Sequence, residues 1–155
     1  MKTKRKKLVI CLAIPLAVGG LAALLSGGMD PYQTLNQPPL SPPGWVFPVV
    51  WSILYLLMGY ASYRILTSGA DPDAIRKALT VYFIQLILNF LWPLVFFGLQ
   101  WYFVAFILLL VLWVFIYLTM YFFGKIDDTA QTLLIPYLLW VTFAGYLNAG
   151  VALLN

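Results

Sequence analysis

The sequence predicts an all-α membrane protein: one domain, residues 1–155, folded as a bundle of five transmembrane helices with the N-terminus cytoplasmic and the C-terminus outside. Three observations predict it. First, 63% of the residues are hydrophobic and 9% charged, against about 45–50% and about 25% in soluble domains. That much apolar surface needs lipid as its solvent. Second, the apolar residues form five continuous runs, each near the ~20 residues that cross a bilayer. They lack the alternation over about 10 residues that marks a barrel strand. Third, five spans put every basic residue on one side. Lys2, Lys4, Arg5, Lys6 and Lys7 precede the first run, Arg64, Arg76 and Lys77 flank the second loop, and Lys125 follows the fourth run. Four or six spans would scatter them, and the positive-inside rule makes that side cytoplasmic.

The elements follow in order. Span one covers about residues 8–26. Its run is longer than the 7–15 residues of a signal-peptide core, and no small-x-small cleavage site follows, so it is read as a span. Residues 27–43 form the longest outer segment. Pro38, Pro39, Pro42 and Pro43 make it stiff and non-helical, either a lid over an outward cavity or a spacer. Span two, about 45–66, follows Pro42-Pro43, which suits a first helical turn where an amide has no partner. Before span three, about 78–98, Asp71 is placed to cap, Pro72 to start the helix and Asp73 to meet its positive end. Pro93 frees a carbonyl one turn back and favours a kink. Span four is about 101–123. Span five is about 133–154, with Asp127, Asp128 or Thr129 available as its cap.

Composition narrows the function. There is no His, hence neither the commonest metal ligand nor the commonest acid–base group, and no metal site is expected. Cys11 is the only cysteine, so no intrachain disulfide forms. The net charge of +4 lies in membrane flanks, which gives no reason to expect nucleic acid as a partner. The apolar parts of the spans hold almost no charge; Arg64, near a helix end, can snorkel to the interface. Ion-coupled transport needs buried ionisable groups, so it is disfavoured.

Amides and aromatics remain inside. Gln85, Asn89 and Trp92 share one face of span three, either as packing glue between helices or as part of a ligand pocket. Trp51, Tyr55, Met58 and Ser62 share a face of span two. Trp140, Ala144, Leu147 and Val151 share one of span five, with Asn148 beside them. Trp45, Trp101 and Tyr102 begin spans, as interfacial belts do. Trp51 and Trp140 lie about two turns in, where an indole N–H needs a partner. The small-residue pairs Gly19/Ala23 and Gly145/Ala149 permit close contact, inside the bundle or in a homodimer. Residues 57–64 satisfy a loose sterol pattern that chance explains.

Three separated stretches carry a more specific signal. They are Pro38-Pro39-Leu40-Ser41-Pro42-Pro43-Gly44-Trp45-Val46-Phe47-Pro48-Val49-Val50-Trp51, continuing to Gly59, then Gln85-Leu86-Ile87-Leu88-Asn89-Phe90-Leu91-Trp92, and Pro136-Tyr137-Leu138-Leu139-Trp140 through Asn148. Together they resemble the TspO/translocator protein family, also called tryptophan-rich sensory proteins or peripheral-type benzodiazepine receptors. The resemblance implies a five-helix bundle with a cavity beneath the first loop. It implies a membrane receptor or sensor for porphyrins and benzodiazepine-site ligands, and sterol in some members. Carried over, the pocket comprises Tyr32, Pro42, Val46, Trp51, Asn89, Trp92, Trp140, Phe143, Ala144 and Leu147. Two departures stand out. Gln37 and Leu40 replace a residue that is often basic and one that is often aromatic. No basic residue follows Tyr146, as it does in sterol-binding members, so cholesterol is not expected.

The expected ligand is thus a porphyrin or another flat apolar molecule, with no resident cofactor. With no nucleophile–base pair and no metal ligands, any chemistry must come from the ligand itself. Light- and oxygen-dependent porphyrin breakdown, with Trp51 and Trp140 as redox partners, is the second reading. Passive transport of tetrapyrroles or other apolar molecules is the third. The basic start and the lack of a transit-like segment point to a bacterial cytoplasmic membrane, with lipid as the constant partner.

Overall fold

The computed structural model describes residues 2–28 and 30–155; Met29, in the first loop, lies outside the described residues. Five long helical segments are each long and apolar enough to cross a membrane. Helix α1 spans Lys2–Leu25, a short α2 spans Asp30–Gln33, and α3 spans Val46–Leu66. Helix α4, Pro72–Pro93, continues as a π-helical turn at Leu94–Gly98; α5 spans Tyr102–Gly124, α6 Asp128–Leu133 and α7 Ile135–Leu154.

Local chemistry sets most of these boundaries. Helix α1 starts at Lys2, before the apolar run at residue 8, because lysine is a good helix former and its stem reaches out of the membrane. The first loop is not non-helical throughout, since α2 forms within it ahead of the prolines. Asp71 precedes Pro72 at the start of α4, but its side chain makes no capping bond. Asp127 does cap, accepting from the Thr129 N–H at 3.1 Å. Pro136 lacks the N–H that would continue the ladder, and the chain breaks between α6 and α7 at Leu134. After Pro93 the turn widens to π rather than ending, with Leu99 N–H reaching Leu94 O at 2.9 Å.

Helix α1 packs on α3 and α4, α4 on α5, and α5 on α7, while α6 wedges between α3 and α5. Lipid is as apolar as leucine, so close packing rather than burial from water holds such helices together. Glycine allows the closest approaches. A Cβ at Gly59 would lie 2.5 Å from the Cys11 carbonyl oxygen of α1, and one at Gly19 would run into the Tyr55 ring of α3. Gly145 faces Leu109 of α5. Gly19 and Gly145 therefore serve contacts within the bundle.

The central core contains Met58, Ile65, Tyr82, Leu112, Ile116, Tyr137 and Val141, all buried. The outer faces expose large apolar side chains such as Phe103, Ile107 and Leu110, as a lipid-facing surface does. Trp45 and Trp101 are exposed at helix starts, where a belt belongs. The antiparallel order gathers every Lys and Arg at one end of the bundle, opposite the first loop.

Candidate functional site

Helices α3 and α7 meet through aromatic rings. Phe47 of α3 is 5.9 Å from the Trp140 ring of α7, and Trp51 is 6.2 Å from Tyr137. Both contacts are edge-on, the arrangement that ring quadrupoles favour. Trp51 also stacks on Tyr55 at 5.6 Å, and Trp140 packs against Phe143 at 5.7 Å. Alternation at i, i+4 aims Phe47, Trp51 and Tyr55 along one face of α3. The seam is therefore a ladder of aromatic rings.

The first loop covers the upper end of this ladder. Tyr32, buried in α2, touches Phe47 at 5.7 Å and reaches Phe96 and Phe97 of the π turn at 6.0 Å each. Trp92 stacks on Phe96 at 5.0 Å. These rings, with Leu35 and Tyr102, close the space under the loop so far that no water-sized volume remains there. Phe47 belongs to both groups and joins them.

The loop is tied down by α7. Tyr146 donates its hydroxyl to Pro39 O at 2.7 Å. Asn36 N–H donates to Asn155 Oδ1 at 3.2 Å, and Asn155 Nδ2 donates back to Asn36 O at 2.9 Å. Pro38 is seated on Gly150, where a Cβ would lie 2.5 Å from its ring. Leu40 holds the left-handed φ of 70° at the exposed tip, a conformation costly for a leucine.

The polar residues divide into two sets. Tyr55 donates its hydroxyl to Asn89 Oδ1 at 2.8 Å, Asn89 Nδ2 donates to the Tyr137 oxygen at 2.6 Å, and Tyr137 donates to Gln85 Oε1 at 2.7 Å. This buried chain links α3, α4 and α7, and each bond polarises the next. Trp92 Nε1 donates to Asn148 Oδ1 at 3.0 Å, and Asn148 Nδ2 donates to Tyr102 O at 2.9 Å. The polar atoms of the Gln85–Asn89–Trp92 face are engaged in interhelical hydrogen bonds. The second set is buried polar atoms with no hydrogen-bond partner among the described residues: the hydroxyls of Tyr32 and Tyr82, and Trp140 Nε1. Leaving such a donor unpaired costs about 1–3 kcal/mol.

Trp51, Trp140, Phe143 and the buried Ala144 thus gather along or beside the seam. Val46 begins α3, the helix that carries the seam, and Pro42 sits half-buried in the loop above. Leu147 is buried one turn beyond Ala144. Tyr32 and Trp92 belong to the cluster under the loop, whereas Asn89 lies deeper, in the hydrogen-bonded core. Phe47, Tyr137 and Phe96 adjoin the candidate site and were not singled out for it by sequence reasoning, whereas Tyr55 was placed on the Trp51 face but not in the pocket. The spacing of Phe47 and Tyr55 from Trp51 is the signal for those two. Gln37, where the resemblance leads one to expect a cation, donates Nε2 to Tyr32 O at 3.0 Å.

The sequence model of the TspO/MBR family matches residues 11–154. The tryptophan-rich protein TspO of Chlorobaculum tepidum is 38% identical over 150 residues, 96% of this chain and 95% of that one. The tryptophan-rich sensory protein of Cereibacter sphaeroides is 38% identical, over 90% of this chain and 88% of its own. The translocator protein of Bos taurus is 38% identical over 119 residues, 76% of this chain and 70% of that one.

Proposed function

The chain belongs to the TspO/MBR family of integral membrane proteins, and from that premise we propose that it is a receptor or sensor for porphyrins and other flat apolar ligands. The site is the α3–α7 seam beneath the first loop. The observation that carries this reading is the unpaired, buried indole N–H of Trp140 among aromatic rings. Rings of Phe47, Trp51 and Phe143 offer faces and edges to a planar ligand, and the indole offers a donor to an acceptor on it. A porphyrin propionate or the carbonyl of a benzodiazepine-site ligand supplies that acceptor. No cation stands at Gln37, so the indole becomes the main anchor for a carboxylate.

A ligand of this size has to displace rings that now touch one another. The loop is the movable part, because its hold on α7 is a handful of hydrogen bonds and one proline on a glycine. In the orientation we propose, the basic end faces the cytoplasm and the loop faces outward. A bacterial cytoplasmic membrane suits this arrangement.

The test is a titration of detergent-purified protein with protoporphyrin IX in darkness, following tryptophan fluorescence. Saturable quenching at micromolar ligand supports the proposal. A linear response with no saturation rejects it.

A second reading, light-driven oxidative breakdown of the bound porphyrin, draws on one further feature. Trp51 stacks on Tyr55 and abuts Tyr137, two redox-capable rings within one hydrogen-bonded chain. Under light and oxygen, the Trp51→Phe, Trp140→Phe double variant would bind porphyrin measurably and no longer convert it. Conversion at the wild-type rate removes this reading.

A further inference from the structure

At the basic end of the bundle, opposite the loop, lies a second cavity of about 350 Å³. Tyr60, Tyr63 and Arg64 line it from the last turns of α3, and Ile126 and Asp127 from the turn before α6. Thr67 and Ser68 complete the wall, but their hydroxyls are spent on Tyr63 O at 2.8 Å and Ile65 O at 2.7 Å. The available chemistry is therefore that of Arg64, Asp127 and the two tyrosines.

Arg64 Nε donates to Asp127 Oδ2 at 2.6 Å, and its Nη2 to Oδ1 at 3.3 Å. The side chains are 35% and 19% exposed, so neither charge is sealed by the other. Two of the guanidinium donors face Asp127, which leaves part of the fork for a second oxyanion. Tyr60 and Tyr63 stack at 6.1 Å, and the guanidinium carbon lies 6.0 Å from the Tyr60 ring centre.

A site with paired opposite charges discriminates by charge pattern. A lone anion meets the repulsion of Asp127, and a lone cation that of Arg64. A molecule carrying both charges a few ångströms apart meets each with its opposite. The location adds a second constraint. Arg64 sits in the last turn of a spanning helix, at the depth where Arg and Tyr meet lipid headgroups.

We infer that this cavity binds a zwitterionic aminophosphate headgroup of the phosphatidylethanolamine kind. The phosphate sits on the free side of the Arg64 fork. The ammonium donates to the Asp127 carboxylate and rests against a tyrosine face. A primary ammonium can donate to the carboxylate, whereas a quaternary choline cannot, so ethanolamine is favoured over choline. A headgroup suits a cavity at the small end of the ~300–1,000 Å³ range of ligand sites. The inference is independent of the tetrapyrrole reading, which concerns the other end of the bundle.

The test is native mass spectrometry of the delipidated full chain with phosphatidylethanolamine, phosphatidylglycerol and phosphatidylcholine of identical acyl chains. Soluble glycerophosphoethanolamine forms a separate arm. Ethanolamine lipid is expected to be retained about tenfold over the other two, the worth of one charge-assisted hydrogen bond. Asp127→Asn keeps the size and a capping oxygen and is expected to bring ethanolamine lipid down to the glycerol level. Tyr63→Leu leaves the ion pair intact and is expected to lower retention of ethanolamine lipid alone by several-fold, which guards against a folding defect in the first variant. Equal retention of the three lipids by the wild type overturns the inference. Binding of the soluble headgroup as tight as that of the lipid overturns its lipid part.

Discussion

In the middle of the bundle Tyr55, Asn89, Tyr137 and Gln85 satisfy one another through bonds of 2.6–2.8 Å, whereas one turn nearer the loop Trp140 keeps a buried N–H with no partner. Both regions bridge α3 and α7, and both use aromatic rings. They differ in what the rings' polar atoms meet. Amides from α4 reach the tyrosines and complete a chain across three helices. No amide reaches Trp140, and the Phe47 ring of α3 meets it edge-on. A completed polar chain holds helices in one arrangement, because breaking any member strands the others. An incomplete one leaves a donor for a ligand to use. The middle is the clamp that holds the bundle, and the seam is the place where we propose that a ligand is received.

The largest effect separates these roles on the clamp side. Asn89→Ala strands the Tyr55 hydroxyl and removes the bond that the Tyr137 oxygen accepts, leaving Tyr137 its bond to Gln85. Unpaired groups cost about 1–3 kcal/mol each in buried sites, while hydrogen bonds between membrane helices average about 0.6 kcal/mol. A loss of about 2 kcal/mol is therefore expected in unfolding from detergent micelles. Unchanged unfolding would mean that the chain is incidental to the fold.

Next is the lid. Gly150→Ala places a methyl against the Pro38 ring, and overpacking of that kind costs about 1–3 kcal/mol. The cost falls on the loop rather than the bundle, since Pro38 can lift away. Limited proteolysis should cut residues 34–43 several-fold faster, with little change in melting. Unchanged cleavage would show that the loop is held by something other than its seat on α7.

The smallest effect lies at the basic end. The Arg64 guanidinium holds the Asp127 carboxyl below its ordinary value of 3.8, and the Thr129 N–H adds to this. A depressed carboxylate stabilises the fold fully above the ordinary value, and that contribution fades as pH falls through the lower folded one. Both groups are partly exposed and screened, so a modest drop in melting temperature is expected between pH 5 and pH 3 (about two units spanning the ordinary carboxylate range). Asp127→Asn should lose that component. An identical pH profile in the variant would show that the pair contributes nothing.

Much of the fold could be read from the chain because lipid imposes continuous apolar runs and sorts basic residues to one end. The face carrying Trp51 and Tyr55 was equally legible from helical spacing. Phe47 continues that face one turn back, in the first turn of the span, where an aromatic residue reads equally as part of an interfacial belt. Phe96 follows Trp92 by four residues and stacks on it, so its place on that face was open to the same spacing argument, whereas Phe97 was hidden because Pro93 is followed by a π turn. Helix α2 was masked by the four prolines that follow it. Asn36 and Asn155 meet across 119 residues, and polar side chains carry no spacing signal for such a pairing. The choice between glue and pocket for Asn89 required knowing that Tyr55 and Tyr137 flank it from two other helices.

The most direct test of the division between clamp and seam is protoporphyrin IX titration of Trp140→Phe beside the wild type, in darkness, with unfolding measured on the same samples. Phenylalanine keeps most of the ring and removes the unpaired N–H. Loss of the unpaired donor offsets the smaller ring, so the account predicts no loss of stability beyond about 1 kcal/mol and affinity weaker by about tenfold, the worth of one hydrogen bond to a charged acceptor. Affinity equal to the wild type would contradict it, and would move the ligand away from Trp140.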